Sequence, residues 1–556
     1  MRFCFSLLLA GWLLVTTGNA QPVEEMRAVK LTNVDSEVLF SDAAIADAMD
    51  FLDSLGFNAV LPVVWNAGHT QYPSSVMERY FGETIDPRME GRDPLKRLII
   101  EAHRHGIEVY PWFEYGFAAV YSGGTPPHGG RFRDTYPEWL SRDRDGSVTT
   151  KNGFDWLSGI NPEVQDFMLA LVTEVVDKYE VDGVEFSDRI PALPPSGGYD
   201  SATVKIYKEE HNGNAPPNNY NDSEWKAWRA GKLTDFYRRV RDSVKARNKH
   251  LVVASSPSIY PWSYEEYLQD NVTWVNEDII DHYIPQLYRK NLDDYSYELN
   301  KALRQIDADK RDRLFSGILM NVGSYVIGED LLGEMISKNR EEGVNGEAYF
   351  FYEGLKKNDN KLGNYLHQEF YEEKAIVPLR DGHIWRPEAA VWSSAEAEYS
   401  GSWEEVGVKG FQDNPIKRSV FSGDETPPSM NYQSEKRFGG VQDIFLHHDP
   451  FFGNSVDSLL LEFTQTSSDE TVAVRVAHPN GRDGWYRAGQ HDFGEYAVYD
   501  NLTVSAAGNV SGDSDTLYNP SVMLQINREK TPEYLDSAAV SISERDAEKP
   551  DRISTI

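Results

Sequence analysis

The sequence predicts an α/β protein, with a (β/α)8 (TIM) barrel followed by a smaller, all-β, sandwich-like C-terminal domain. From about residue 26 to 375, short apolar runs rich in β-branched residues alternate with amphipathic helical stretches, which is typical of βα units around a parallel sheet. There are eight such runs, enough to close a barrel. Beyond about residue 376, alternating runs are separated by turn-rich segments. With 556 residues, 40% of them hydrophobic, the chain can build two or three packed domains.

The predicted barrel strands are Ala28–Asn33, Ala59–Trp65, Glu108–Phe113, Gly183–Phe186, Leu251–Ser255, Tyr283–Tyr288, Leu314–Met320 and Ala348–Tyr352. Between the first two, Ser41 and Asp42 form a plausible N-cap for a helix over Ala43–Leu55. A later helix over Pro94–His105 ends at Gly106. An open, doubly wound sheet is the alternative. Such a sheet more often has a glycine-rich phosphate loop after its first strand, and the sequence has no such loop there, which favours the barrel. The main C-terminal strand candidates are Ser458–Phe463, Thr471–Ala477, Tyr496–Val504 and Ser521–Ile526.

Four segments are expected along the chain: a signal peptide over residues 1–20, the barrel over 26–375, the all-β accessory domain over 380–545 and a charged tail over 546–556. Met1-Arg2 is a short basic start, Phe3 to Val15 is apolar, and Gly18-Asn19-Ala20 is a small-residue cleavage site. A membrane anchor is the alternative, although the run is shorter than the roughly 20 apolar residues of a span. The only cysteine, Cys4, lies inside this segment. We therefore expect a secreted or periplasmic protein without disulfides.

Charge and motifs exclude several classes of protein. The formal net charge is −33, which disfavours nucleic acid and anionic membranes as partners. The sequence has no HExxH pair, no cysteine-based metal site, no phosphate-binding loop and no GxSxG motif, so neither a metal nor another cofactor is expected. His103 and His105 are interpreted as residues of a helix surface. The oligomeric state is left open.

The segment Val181–Arg189 carries the strongest sign of chemistry. In a barrel strand Glu185 and Ser187 would face the same side, while Asp188 would lie where the strand opens into its loop. Two carboxyl groups near one end of a barrel fit glycoside cleavage, in which one protonates the leaving oxygen and the other acts as nucleophile or base. The alternative is structural: Glu185 would pair with an arginine and Asp188 would cap the next turn.

Other polar and aromatic residues recur at the predicted strand ends. Glu114, after the third strand, and Glu353, after the eighth, are further candidates for the acid. Flat aromatic rings at strand ends can stack on sugars while nearby amides and carboxylates bind hydroxyls. The predicted substrate-binding residues are Asn33, Asp35, Asn66, His69, Trp112, Tyr260, Trp262, Gln286 and Tyr288. A carbohydrate is therefore the expected substrate.

Several motifs in order resemble the glycosyl hydrolase-like 10 family over about residues 26–375. They are Leu31–Ser36, Val64–Ser74, Val181–Val184 with Ser187-Asp188-Arg189, Ser256–Tyr264, Pro285–Arg289 and Phe350–Glu353. The resemblance implies a TIM barrel with glycosidase-type activity, and some relatives act on the glycan strands of peptidoglycan.

One position departs from the family pattern. The family's fourth strand commonly ends in two aspartates, the first at the position of the α-amylase nucleophile, where this chain has Ser187. Three outcomes stay open: Asp188 has taken over, Glu185 supplies the charge, or catalysis is lost. The last would make the protein an inactive carbohydrate-binding or cell-wall scaffold protein.

Overall fold

The computed structural model describes residues 23–89, 91–118, 120–121, 130–378, 386–422, 426–448, 456–465, 468, 470–477, 484–507 and 515–531. The predicted signal peptide and the predicted charged tail lie outside these residues. Within them, no helix is long and apolar enough to cross a membrane.

Eight parallel strands pair in a closed cycle, which we call the ring. They are β1 (Met26–Leu31), β2 (Ala59–Pro62), β3 (Glu108–Val109 and Trp112–Phe113), β4 (Gly183–Phe186), β5 (Val252–Ser255), β6 (His282–Tyr283), β7 (Ser316–Leu319) and β8 (Gly346–Phe350). Each strand pairs with the next, and β8 pairs with β1. The link from β6 to β7 consists of single bridges, Tyr283 to Leu314 and Gln286 to Gly317.

The predicted strands are found in order, with some changes at their ends. β4 has the predicted bounds. β6 was predicted over Tyr283–Tyr288 but ends at Tyr283, because Pro285 has no N–H to donate to a neighbouring strand. In the C-terminal part, the predicted strand Tyr496–Val504 is two strands, Ala497–Tyr499 and Asn501–Ala506, which pair with different partners.

The α-helices within the described residues are α1 (Asp42–Ser54), α2 (Ser75–Phe81), α3 (Pro94–Arg104), α4 (Gly130–Thr135), α5 (Pro162–Lys178), α6 (Ser201–Glu210), α7 (Ser223–Arg247), α8 (Trp262–Tyr267), α9 (Asn271–Asn276), α10 (Leu292–Gln305), α11 (Glu329–Glu341) and α12 (Glu353–Glu369). The predicted cap of α1 is confirmed, since the Ser41 hydroxyl accepts a hydrogen bond from the Ala44 N–H at 3.0 Å. Backbone angles inside α12 leave the helical region from Lys357 to Asn360.

Short antiparallel strand pairs lie in the loops that follow some of the ring strands. The first is the hairpin of Trp65–Asn66 with His69–Thr70. A second group joins Val120–Tyr121, Phe154–Asp155 and Thr150–Lys151, and a third joins Asn321–Val322 with Tyr325–Val326. Val23–Glu24 pairs in parallel with Ala375–Ile376.

The residues after the ring form antiparallel sheets. One has four strands in the order Ala390–Trp392, Ser521–Ile526, Val441–His448, Gly484–Asp492. Another has five strands in the order Ala397–Ser400, Ser429–Tyr432, Asn501–Ala506, Ser458–Gln465, Glu470–Ala477. The smaller sheets consist of Glu404–Lys409, Pro415–Phe421 and Asp515–Tyr518, and of Lys436–Phe438 with Ala497–Tyr499. One hydrophobic cluster contains residues of both larger sheets, and a separate one contains the residues inside and around the ring.

The interpretation of His103 and His105 as surface residues is wrong. His103 is 2% exposed, and its ring nitrogens lie 3.2 Å from Glu180 and 3.0 Å from Asp182. His105 is largely buried between Asp50 and Asp53, at 2.7 and 3.0 Å. The end of α3 is therefore enclosed by carboxylates from other segments, which a helical pattern in the sequence cannot reveal.

Candidate active site at the carboxyl end of the ring

Glu185 faces the interior of the ring. It lies opposite Trp112 in the pairing of β3 with β4, and it is 0% exposed. The Lys30 Nζ donates to its Oε1 at 3.1 Å and lies 4.1 Å from the centre of the Trp112 ring. Burial raises the pKa of Glu185 to about 7, although the Lys30 ammonium acts in the opposite direction. Glu185 is thus held in a buried ion pair with a lysine, rather than with an arginine.

Asp188 lies two residues beyond the end of β4 and is half-buried. Among the described residues, no hydrogen bond or ion pair reaches its carboxylate. Its charge nevertheless acts on its neighbours: it raises the pKa of Tyr267 and Tyr288, in both cases after the larger effect of burial. The next turn is capped by Ser187 rather than by Asp188, because it is the Ser187 hydroxyl that accepts a hydrogen bond from the Arg189 N–H, at 3.0 Å.

Glu114 follows β3 and lies beside the Asp188 segment, with 17% of its side chain exposed. The Asn66 side-chain amide donates to its Oε2, and the Arg189 Nη1 donates to its Oε1 at 3.3 Å. Burial raises the pKa of Glu114, and the charge of Arg189 and the bond from Asn66 only partly oppose this. The structure therefore joins two predicted site residues, Glu114 and Asn66, across the ends of β2 and β3.

Ser187 is buried and bonded to the backbone on both sides. Its hydroxyl donates to the carbonyl oxygen of Glu114 in addition to accepting from Arg189. It thereby ties the end of β4 to the end of β3. The position at which the family commonly has an aspartate is a structural link in this chain.

Aromatic residues stand beside these carboxyl groups. The rings of Trp112 and Tyr288 both contact Phe350 at the end of β8, with centroid distances of 6.4 and 5.9 Å. The buried indole N–H of Trp112 has no hydrogen-bond partner among the described residues. Gln286 is half-buried, and its amide donates to the Ser256 carbonyl at 3.0 Å. Trp112 in β3 and Tyr288 after β6 thus come from different strands to the same ring, Phe350.

The end of β1 contributes a buried amide without a partner. Asn33 is 3% exposed, and within the described part of the chain neither its Oδ1 nor its Nδ2 has a hydrogen-bond partner. Buried amides are almost always paired, so an unpaired one at the rim of a ring marks a place for water or a polar ligand.

Asp35 and Glu353 lie on a different part of the rim. They line a cavity of about 490 Å³. Its other lining residues are Asn321, Gly323, Phe351, Lys356 and Lys357. Glu353 accepts a hydrogen bond from the Ser36 hydroxyl at 2.8 Å, and no contact within the described residues joins it to Glu114, Glu185 or Asp188.

The remaining predicted substrate residues lie on outer loops. His69 is in the hairpin after β2, 3.6 Å from the Glu83 carboxylate. Tyr260 and Trp262 follow β5; Trp262 is 48% exposed, and its ring is 5.5 Å from that of Tyr267. The ring of Tyr260 is 6.1 Å from that of Tyr264. None of these contacts reaches Glu114 directly.

Two charged residues of the site were missed by the sequence interpretation. Lys30 shares the inward face of β1 with Ala28, and a lysine at an inward strand position is a signal that alternation along the strand could have provided. Arg189 follows Asp188 directly, and in the sequence it stands out only as the last residue of the Ser187-Asp188-Arg189 motif. Among the described residues, no group of three His, Cys, Asp or Glu side chains could hold a metal ion.

Carboxyl groups from adjacent strands thus meet beside aromatic rings at the carboxyl end of a ring of parallel strands. Glycoside hydrolases use such an arrangement to protonate a leaving oxygen and to stabilise an oxocarbenium-like transition state, and the protein is a glycoside hydrolase. The chain belongs to the glycosyl hydrolase-like 10 family, whose profile matches residues 25–332. The family resemblance inferred from the motifs is therefore confirmed.

Among curated proteins, glycosyl hydrolase DigH of Escherichia coli (strain K12) is 27% identical over 329 residues, covering 54% of this chain and 70% of the relative. Glycosyl hydrolase YngK of Bacillus subtilis (strain 168) is 22% identical over 426 residues, covering 68% and 78%. Among solved structures, the glycoside hydrolase domain of PgaB (BpsB) from Bordetella bronchiseptica is 15% identical with a TM-score of 0.48, covering 62% of this chain and 99% of that chain.

Proposed function

We propose that the protein is an exported glycoside hydrolase that cleaves a poly- or oligosaccharide at the carboxyl end of a (β/α)8 barrel. The closed cycle of parallel strand pairs supports the barrel, and the shared hydrophobic cluster of two antiparallel sheets supports a sandwich-like accessory domain over residues 380–545. The basic start, apolar run and small-residue site of residues 1–20 support export to the periplasm or the exterior.

Asp188 and Glu114 are the reacting carboxyl groups of this proposal. The observation that carries it is the contrast between them: the Glu114 carboxyl is hydrogen-bonded and has a raised pKa, whereas the nearby Asp188 carboxylate has no partner among the described residues. A raised pKa suits a general acid that protonates the leaving oxygen, and an unpaired carboxylate suits a nucleophile or base. Glu185, fully buried against Lys30, supports the site from inside the ring.

The substrate class of the proposal is an uncharged or weakly charged glycan, with bacterial cell-wall glycan as the first candidate. The family resemblance supports the cell-wall glycan. The net charge of −33 disfavours highly anionic polysaccharides, which the protein would repel at low ionic strength. Asn33 with its unpaired amide, the Trp112 and Tyr288 rings, and Trp262 on the outer loop would bind the sugar units.

The test is release of oligosaccharides from a panel of polysaccharides and from peptidoglycan glycan strands stripped of peptides, read by mass spectrometry. With the substrate identified, we expect Asp188→Asn and Glu114→Gln each to lower the rate by about 10²-fold or more. Matched controls are Asp235→Asn on α7 and Glu209→Gln on α6, whose side chains are 62% and 64% exposed. The controls should retain the wild-type rate.

Full activity of Asp188→Asn or of Glu114→Gln would remove that residue from the proposed chemistry. Binding of a glycan by the wild-type protein with no product from any member of the panel would favour the inactive binding protein. The anomeric form of the first product, followed by NMR, would decide between retention and inversion.

A further inference from the structure

Arg189 is a charged residue of the site to which the proposed chemistry gives no role. Its guanidinium donates to Glu114 at 3.3 Å, and Asp188 and Glu114 are, in that order, the charges that most stabilise its protonated form against burial. It therefore lies in the field of both proposed reacting groups.

The guanidinium is also held in place by aromatic rings. It lies 4.8 Å from the ring centre of Phe154 and 5.4 Å from that of Tyr115, and these two rings contact each other at 5.3 Å. Phe154 belongs to the strand group in the loop after β3, and Tyr115 directly follows Glu114. Contacts of this kind are formed more often by the flat guanidinium of arginine than by the ammonium of lysine.

The backbone of Arg189 is fixed as well. Its N–H donates to the Ser187 hydroxyl at 3.0 Å, and its carbonyl accepts from the Phe117 N–H at 3.0 Å. The loop after β3 approaches so closely that a Cβ on Gly116 would lie 2.6 Å from the Arg189 carbonyl oxygen, and Gly116 has a φ of 49°. Main chain and side chain together leave the guanidinium little freedom.

We propose that Arg189 is a positioning residue of the hydrolase, whose clamped guanidinium holds the Glu114 carboxyl in place and places a positive charge near both Glu114 and Asp188. This inference rests on the proposed function of those two carboxyl groups. The other charged and titratable groups that interact electrostatically with Arg189, Glu114 or Asp188 are Tyr115, Tyr267, Tyr288, Glu185 and Lys30. Of these groups only Lys30 is a cation, and it is already paired with Glu185.

The direction in which the pKa changes when Arg189 is replaced follows from the positive charge of its guanidinium. Removing a cation makes the Glu114 carboxylate harder to form, so the pKa of Glu114 should rise. Glu114 has to be protonated for the proposed reaction, so the basic limb of the pH profile of kcat/KM should move to higher pH. Loss of structure alone would lower the profile without moving its limbs.

The first measurement needs no substrate. In protein labelled with ¹³C at the glutamate carboxyl carbons, the Glu114 resonance is identified by its absence from Glu114→Gln, and its titration is compared between wild type and Arg189→Met. We expect the midpoint to rise by about one pH unit in Arg189→Met. Arg189→Lys should stay near the wild-type midpoint because it retains the positive charge. Arg239→Met on α7, whose side chain is 44% exposed, is the control and should titrate as wild type.

The second measurement is the pH profile on the substrate found by the glycan panel. We expect kcat to fall by about 10²-fold in Arg189→Met, with the basic limb at higher pH and a smaller change in KM. Arg189→Lys should keep the wild-type limbs with a lowered kcat, since the planar fork is lost. Circular dichroism and thermal melting establish that each variant is folded.

An unchanged Glu114 midpoint in a folded Arg189→Met would overturn the role of Arg189, whether or not the protein hydrolyses a glycan. A shifted midpoint in a protein that cleaves no glycan would instead sink the proposed function and leave the electrostatic role of Arg189 intact. If Arg189→Met does not fold, Arg189→Lys decides: wild-type kcat in that variant would show that the planar guanidinium is not needed, contrary to the proposal.

Discussion

Arg386 joins the segment after the ring to the amino end of β4. Its side chain is 1% exposed and donates to Asp182 at 2.7 and 3.0 Å and to Glu180 at 2.8 Å. Burial alone would raise the pKa of Asp182, but Arg386, His103 and Arg528 outweigh it and hold this pKa well below the ordinary value. We expect Arg386→Met to leave buried carboxylates with one partner fewer.

The size of the loss follows from the burial. Removing one partner of a buried ion pair costs about 3–5 kcal/mol, and the lower end applies because Asp182 retains His103 and Arg528. We therefore expect the free energy of unfolding to fall by about 3 kcal/mol. The measurement is urea unfolding followed by tryptophan fluorescence and circular dichroism. The difference in free energy of unfolding between wild type and Arg386→Met should become smaller below about pH 4. A carboxylate with a lowered pKa stabilises the folded state above its ordinary pKa, and this contribution is lost as the pH falls.

The matched control is Arg487→Met. Arg487 also pairs with a carboxylate in the C-terminal part, Asp443, but 45% of its side chain is exposed. Exposed pairs contribute about 0–1 kcal/mol. A loss in Arg386→Met no larger than in Arg487→Met would refute the reasoning. A coupling energy near zero between Arg386→Met and Asp182→Asn would refute it independently.

Two further predictions concern a buried acid and the link between β3 and β4. Burial raises the pKa of Glu347 to about 7, so the wild type should lose about 3 kcal/mol of stability between pH 4.5 and pH 7, where the unfolded chain gives up this proton more readily. Unfolding free energies at pH 5 and pH 8 should show this fall in the wild type and a smaller one in Glu347→Gln; equal falls would contradict it. Ser187→Asp restores the carboxylate that is common in the family. We nevertheless expect a lower kcat for this variant, because the new carboxylate would face the Glu114 carbonyl oxygen. Ser187→Ala should lower the free energy of unfolding by about 1 kcal/mol, because the hydrogen bond to that carbonyl is lost. A kcat of Ser187→Asp above the wild type would show that this position still accepts a reacting carboxylate.

The fold was largely predictable because its signals are local. The run Gly183–Phe186 is apolar except for Glu185 and is bounded by turn residues, and the strand has those bounds. The strand predicted at Tyr283–Tyr288 was too long because Pro285 has no N–H and interrupts the regular pairing, which continues only as a single bridge at Gln286, and that signal was present in the sequence. The pairing of β8 with β1 joins residues more than three hundred positions apart, and the strand count alone predicted it.

The site was predictable as a region but not as a set of contacts. Polar residues at strand ends were expected to share one end of the ring, and the Asn66 side-chain amide does donate a hydrogen bond to Glu114. The sequence could not separate Glu353, bonded to Ser36 beside its own cavity, from Glu114, bonded to Arg189. Such differences depend on side chains that are distant in sequence, as does the burial of His103.

The charges of the site explain how it can work with a serine at position 187. Three carboxyl groups, Glu114, Asp188 and Glu185, face two cations, Lys30 and Arg189. In the proposed mechanism Glu114 is protonated before the reaction, which leaves Asp188 and Glu185 opposite the two cations. When Glu114 gives its proton to the leaving oxygen, the site gains one negative charge at the step in which the sugar becomes positive. An aspartate at position 187 would place a carboxylate against the Glu114 carbonyl oxygen, where Ser187 now donates a hydrogen bond, and the link between β3 and β4 that holds Glu114 in place would be lost.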